Sequence, residues 1–367
     1  MRQIVSRAAV FGTLVTFIGC GGAGDATTSP VVKTCAQDPT QSKCVVAVDP
    51  DSTLRIVAAK SSRYIGNIAG STFGQASSNA LLAKEFNIVT PENALKMDAV
   101  RPSRATFSFT TPDAIYAFAS ANGMKMRGHT LVWHGQVPAW LSGGGFSGDT
   151  LLAIMQDHIT RVMTHFKGQI YAWDVVNEAL ADDGSRRASP WSPIGRKYIE
   201  EAFKAARAAD PGALLFYNDY SLEFPGPKQD SAFAMIQDFK ARQIPIDGIG
   251  FQSHFQVSTG GNGVPSQATM AATISRFAAL NLKVHLTELD IRIPTSAGST
   301  ETSAQTSGFS NVVSACRSVT ACEAIVIWGL DDGHSWIPGT FPGYGSATLF
   351  DAALNRKATY TAVKASL

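Results

Sequence analysis

The 367-residue chain has almost no net charge and few charged residues of either sign. Lys and Arg number 31 against 29 Asp and Glu, a formal net charge of +2, and charged types make up only 16%. Such a balance creates no field that would gather a polyanion, which excludes nucleic acid and points to a neutral partner. A membrane-spanning run is missing from the N-terminus, where the apolar stretch over residues 8–18 is too short to cross a bilayer. Cysteine is scarce and odd in number, at five. What the chain does have is 45% hydrophobic residues and 32 glycines. That is enough for one large domain with a substantial core.

The opening "MRQIVSRAAVFGTLVTFIGC" sets two arginines before the apolar run, the pattern of an export signal over residues 1–19. Gly19 and Cys20, followed by the loose "GGAGDATTSP", resemble a bacterial lipoprotein signal whose cysteine is lipidated; Phe17 stands where that motif usually has Leu. Cys35 with Cys44, and Cys316 with Cys322, are close enough in sequence for two local disulfides, leaving Cys20 for lipid. The alternative is ordinary cleavage, with a free thiol or another pairing. The reading is an exported protein, on the outer membrane or cell surface through its lipid, and otherwise secreted or periplasmic. Contact with a membrane is expected only through that anchor. Residues 20–53, rich in Gly, Thr, Ser, Pro and Val without a helical period, suit a tether.

From residue 54 to 367 short apolar runs alternate with amphipathic ones. The expected strands are 64–70, 86–92, 124–133, 170–178, 213–219, 247–254, 283–290 and 324–330. Stretches such as 151–166, 196–210 and 231–243 carry apolar residues at three- and four-residue spacing and predict helices. Eight βα units in one domain predict a single closed (β/α)8 TIM barrel of the α/β class.

Active sites of such barrels lie at the C-terminal ends of the strands. Polar residues gather there: Glu92, Asn93 and Lys96 after the second strand, His129 and Trp133 on the third, Asn177 and Glu178 closing the fourth. Asn218 and Asp219 close the fifth, Gln252 and His254 the sixth, Glu288 the seventh and Trp328 the eighth. Glu178 and Glu288 each follow an apolar run directly and would meet in one barrel mouth. Two carboxyl groups so placed suit glycosidic bond cleavage, in which one is the acid and the other attacks or stabilises the anomeric carbon. Neighbours on an ideal strand face opposite sides, so a bulge or strand end is expected at 177–178 if both are to serve the site. Asp174 shares parity with Glu178 and is expected to be a buried carboxylate with a partner.

The stretches "TPENALKMD", "RGHTLVWH", "WDVVNEAL", "GIGFQSH", "HLTELDI" and "IWGLDDGHSW", in this order from about residue 58 to the C-terminus, resemble glycoside hydrolase family 10, the endo-1,4-β-xylanases. The resemblance implies a retaining double displacement on xylan, with Glu178 as acid/base and Glu288 as nucleophile. It further implies that Asn177 binds the sugar 2-hydroxyl, that Lys96 and His129 hold the sugar beside the scissile bond, and that Glu92 and Asn93 bind the next sugar out. His254 would hydrogen-bond Glu288, and Gln252 would hold the sugar or the nucleophile. Trp133, Trp328 and Trp336 offer faces for pyranose rings, and Tyr220 does so on the leaving-group side. Family members often carry a disulfide where Cys316 and Cys322 lie.

His285, by parity, and His158 and His165, on a helix, read as structural. Asp331, Asp332 and His334 lack metal-loop spacing and are expected to form a loop that positions Trp336. No metal or cofactor is implied, and the partners expected of this monomer are xylan and xylo-oligosaccharides. Alternatives are a related barrel acting on cellulose or mannan, and a catalytically silent surface lipoprotein that binds glycans.

Overall fold

The computed structural model describes residues 52–258 and 263–367, so Cys20, Cys35 and Cys44 lie outside the described residues. Eight strands form the barrel: β1 Tyr64–Ala69, β2 Ile88–Pro91, β3 Lys125–Gly128, β4 Ala172–Asn177, β5 Leu214–Asp219, β6 Gly248–Phe251, β7 Lys283–Pro294 and β8 Cys322–Ile327. Each pairs in parallel with the next, and β8 pairs in parallel with β1, which closes the sheet. Closure removes exposed strand edges and explains why β4 is buried along its whole length.

The helices outside the barrel form where the sequence spacing placed them. Gly148–His165 buries Leu151, Ile154, Met155, His158, Ile159, Val162 and Met163 on one stripe, and Ser147 caps it by accepting the Thr150 N–H. Tyr198–Ala209 and Pro227–Ala241 fill two further predicted positions. The last helix, Ala358–Ser366, returns to the start of the domain: Tyr360 donates to Glu85 at 2.8 Å, and the same carboxylate oxygen accepts the Leu54 N–H at 3.0 Å.

β6 ends at Phe251 instead of 254, which puts His254 on a separate short strand, β8 ends at Ile327 instead of 330, and two strands depart further from the sequence expectation. β3 stops at Gly128 instead of running to 133, because beyond it His129 turns onto Asp174 while Leu131 and Val132 donate to carbonyls of β4. Gly128 is required where it stands, since a Cβ there would sit 2.2 Å from the Trp173 ring. β7 runs four residues past the expected end. Its outer half pairs with the short strand His254–Gln256, and its last residues with Tyr344–Gly345, so the rim above the barrel is built on it.

His285 and His158 are fully enclosed, and no hydrogen-bond partner meets either ring nitrogen of His285. Burial keeps both neutral, His158 at about 3 and His285 far below the ordinary imidazole value. His165 instead meets Asp113 near the surface at 2.7 Å. Cys316 forms a disulfide with Cys322, the first residue of β8, and both are fully buried.

Candidate active site

β4 delivers two adjacent side chains to the barrel mouth. Its register against β5 shifts between Asp174 and Val176, and the strand ends at Asn177. Glu178 then adopts φ of +56°, a left-handed conformation rare for a non-glycine residue. The bulge and the turn together override the alternation that would have sent Asn177 and Glu178 to opposite faces.

Glu288, on β7, is 5% exposed and is held from both sides. The Asn218 amide donates to Oε1 at 2.8 Å, and His254 Nε2 lies 3.2 Å from Oε2. His254 in turn places Nδ1 2.8 Å from Asp290. Burial would discharge this imidazole, but Asp290 and Glu288 outweigh it and raise its pKa to about 10. A protonated His254 therefore donates to both carboxylates at neutral pH. Burial also tends to raise the pKa of Glu288, yet His129 and His254 bring it below the usual value, so the carboxylate stays ionised.

Glu178 is more open, with a side chain 14% exposed, and its contacts are of another kind. Gln252 donates to its Oε1 at 2.9 Å and Asn177 at 3.2 Å, while His134 Nδ1 stands 3.8 Å from Oε2. Gln252 thus serves the residue expected as acid/base and not the nucleophile. β6 is flanked by β5 and by β7, the strand of Glu288, yet the Gln252 amide reaches past β5 to Asn177 and Glu178. The two halves are joined through Asn218, whose amide nitrogen also donates to Asn177 Oδ1 at 2.8 Å and whose oxygen accepts from Thr287 at 2.6 Å.

Asp174 is fully buried, ion-paired with Arg127, and accepts from His129 Nδ1 at 3.0 Å. That contact fixes the imidazole so that its other edge faces the cavity. Lys96 is 8% exposed; burial lowers its pKa, and Glu288, Glu92 and Glu178 pull it back up. Its ammonium sits 4.9 Å from the Trp133 ring centre and donates to Asn93 at 2.9 Å.

A cavity of ≈ 400 Å³ gathers eleven of the thirteen residues expected at the site: Lys96, His129, Trp133, Asn177, Glu178, Tyr220, Gln252, His254, Glu288, Trp328 and Trp336. Glu92 and Asn93 do not line it. Asn93 faces a neighbouring cavity of ≈ 330 Å³ and braces Lys96, while Glu92 packs so close to Gly70 that a Cβ there would meet its carboxylate at 2.6 Å. Tyr220 stands at the opposite side, its hydroxyl bonded by Arg187 and the Lys228 ammonium 3.2 Å from its ring centre. Trp336 donates to Asp290 at 2.8 Å and its ring lies 4.9 Å from that of His254. Asp331 accepts from the Gly333 and His334 N–H groups and closes the 3-10 turn before Trp336. No group of metal-ligating side chains comes together among the described residues.

Sequence reasoning assigned no role to Asn218, Thr287, Asp290 and His134, and did not single out Ser221, Arg292 or Phe341 on the cavity wall. Asp290 carried a usable signal, since it shares strand parity with Glu288. His134, Arg292 and Phe341 lie beyond the regular strand pattern or on the extended rim and carried none.

The model of glycosyl hydrolase family 10 matches residues 53–366. The chain is 40% identical over 308 residues to endo-1,4-beta-xylanase 1 of Gibberella zeae, covering 83% of this chain and 87% of that one. It is also 40% identical over 321 residues to endo-1,4-beta-xylanase B of Thermotoga neapolitana, covering 86% and 91%. Among solved structures it is similar to xylanase 10B from Thermotoga petrophila in complex with xylobiose, with a TM-score of 0.83, 39% identity, and coverage of 87% and 98%.

Proposed function

This chain belongs to glycosyl hydrolase family 10, and on that footing we propose that it is a retaining endo-1,4-β-xylanase with Glu178 as acid/base and Glu288 as nucleophile. The observation that carries the assignment is the asymmetry of the two carboxyl groups in one cavity. Glu288 is buried between the Asn218 amide and a cationic His254, and Glu178 is more open, its hydrogen bonds coming only from the Gln252 and Asn177 amides.

In the first half-reaction Glu288 attacks the anomeric carbon while Glu178 gives its proton to the departing glycosidic oxygen. The C–O bond to the leaving sugar breaks and an ester to Glu288 forms. In the second, Glu178 takes a proton from water, the oxygen of that water bonds the anomeric carbon, and Glu288 leaves as carboxylate. Two inversions give retention. Asn177 uses one amide hydrogen on Glu178 and keeps a second for the sugar 2-hydroxyl, a contact that strengthens as oxocarbenium character develops. Glycosylation turns the Glu288 carboxylate into a neutral ester before Glu178 takes its proton from water.

The assay is reducing-end release from xylan, carboxymethylcellulose and mannan by the purified protein, beside Glu178→Ala and Glu288→Ala. Release from xylan that both substitutions abolish supports the reading; release chiefly from another glycan overturns the substrate, and oligosaccharide binding without cleavage favours a capture protein. The sequence of residues 1–20 supports export with a lipid on Cys20. Cys20→Ser should then release the protein from the membrane fraction, and an unchanged fractionation would contradict the anchor.

A further inference from the structure

The cavity wall includes a cation that the double displacement does not use. Arg292 lies on the outer half of β7, four residues after Glu288, and lines the same cavity. It is half-buried, yet no carboxylate among the described residues lies in ion-pair contact with it. Asp290, the nearest acid on its strand, directs one oxygen to His254 and Trp336, and its other oxygen meets no hydrogen-bond partner. Arg292 feels the Asp290 charge only at a distance, whereas His254 touches both Asp290 and Glu288, and Lys96 lies in the field of Glu288, Glu92, Asp98 and Glu178 together.

Arg292 is nonetheless held firmly. Its Nε and Nη2 donate to Gln256 Oε1 at 3.2 and 2.9 Å, and Gln256 is itself fixed by donating to the Tyr344 hydroxyl at 2.9 Å. The guanidinium carbon lies 3.7 Å from the Phe341 ring centre. Gln256 and Tyr344 belong to the two short strands that pair with β7, so the whole support is part of the rim. A guanidinium has five N–H donors, and the neutral amide engages two of these nitrogens through a single oxygen. A half-buried cation whose only hydrogen-bond partner is neutral, and which no carboxylate touches, keeps donors free for an anion, and its planar fork matches a carboxylate.

We propose that Arg292 is a specificity-determining residue that binds the carboxylate of a uronic-acid side group carried by the polysaccharide in the cleft. This inference rests on the xylanase reading and deepens it: the preferred substrate is an acidic, glucuronate-bearing xylan. Preorganisation by Gln256 and Phe341 lets the guanidinium bind without first ordering a flexible side chain.

The test compares three xylo-oligosaccharides of equal length: one unsubstituted, one bearing a single glucuronate, and one whose uronate carboxyl has been reduced to the alcohol. In the unaltered protein kcat/KM for the uronate form should exceed that for the reduced form about tenfold, the scale of one charge-assisted hydrogen bond. Equal values, or a preference for the reduced form, overturn the inference. Arg292→Met should collapse that ratio towards one and Arg292→Lys should retain part of it. An equal fall on all three substrates, with the ratio kept, would make Arg292 a support of the rim only and also overturns the proposal. If Arg292→Met does not fold, the ratio in the unaltered protein decides. Absence of cleavage of all three would instead strike the xylanase reading, and the same preference sought in Kd by calorimetry would still decide the role of Arg292.

Discussion

Asn218 donates to Glu288 at 2.8 Å through the same amide nitrogen that donates to Asn177 at 2.8 Å. One side chain therefore fixes Glu288, the proposed nucleophile, and the residue beside Glu178, the proposed acid/base. Thr287, donating to the Asn218 oxygen, prevents the amide from flipping.

Asn218→Ala removes both donors and leaves two buried acceptors short of a partner. The expected result is a fall of roughly tenfold to a hundredfold in kcat with a smaller change in KM, since the contacts orient groups that act in the transition state. Steady-state kinetics on a xylo-oligosaccharide check this. A pure KM effect would contradict it.

His254 gives a pH signature. Its folded-state pKa of about 10 lies above the ordinary value of 6.5, so the stabilisation it contributes is whole below about pH 6.5. That contribution is lost as the pH rises through the window from about 6.5 to about 10. Thermal midpoints of the parent protein and His254→Gln should differ by several degrees at pH 6, with the gap narrowing towards pH 10. A constant gap would show that His254 is not cationic in the folded protein. The same variant should lose about tenfold or more in kcat/KM, because Glu288 would lose a charged donor.

The barrel and the two glutamates were legible because their signals are periodic: eight apolar runs, each ending in polar residues, with helical spacing between. Lys96, His129, Gln252 and His254 were legible for the same reason. The details came from departures from period. Nothing in "WDVVNEAL" states that the register slips after Asp174 or that Glu178 turns to positive φ, yet these place neighbours 177 and 178 in one site. Gln252 was expected to hold the sugar or the nucleophile and donates to Glu178, because parity tells which face a residue takes, not which strand it leans over. The rim that carries Arg292, Tyr344 and Phe341 depends on pairing between segments far apart in sequence, and no local pattern announces it.

The Cys316–Cys322 disulfide closes a loop of sequence separation 6 at the entry to β8, remote from the cavity lining. A loop this short restricts the unfolded chain only modestly, by about 2 kcal/mol. Replacing both cysteines by serine should lower the thermal midpoint by several degrees while kcat/KM at 25 °C stays within twofold. A large loss of activity in the folded variant would show that the bridge shapes the site through Trp328.

In the proposed mechanism Glu288 carries the sugar between the two half-reactions. A 2-deoxy-2-fluoro xylobioside with a good leaving group slows both steps and lets the ester accumulate, so mass spectrometry of the inactivated, protease-digested protein can locate it. One fluoroxylobiosyl adduct is expected, on the peptide that contains Glu288. Inactivation with the label on Glu178, or turnover of xylo-oligosaccharides with no adduct and α-anomer released first, would contradict it.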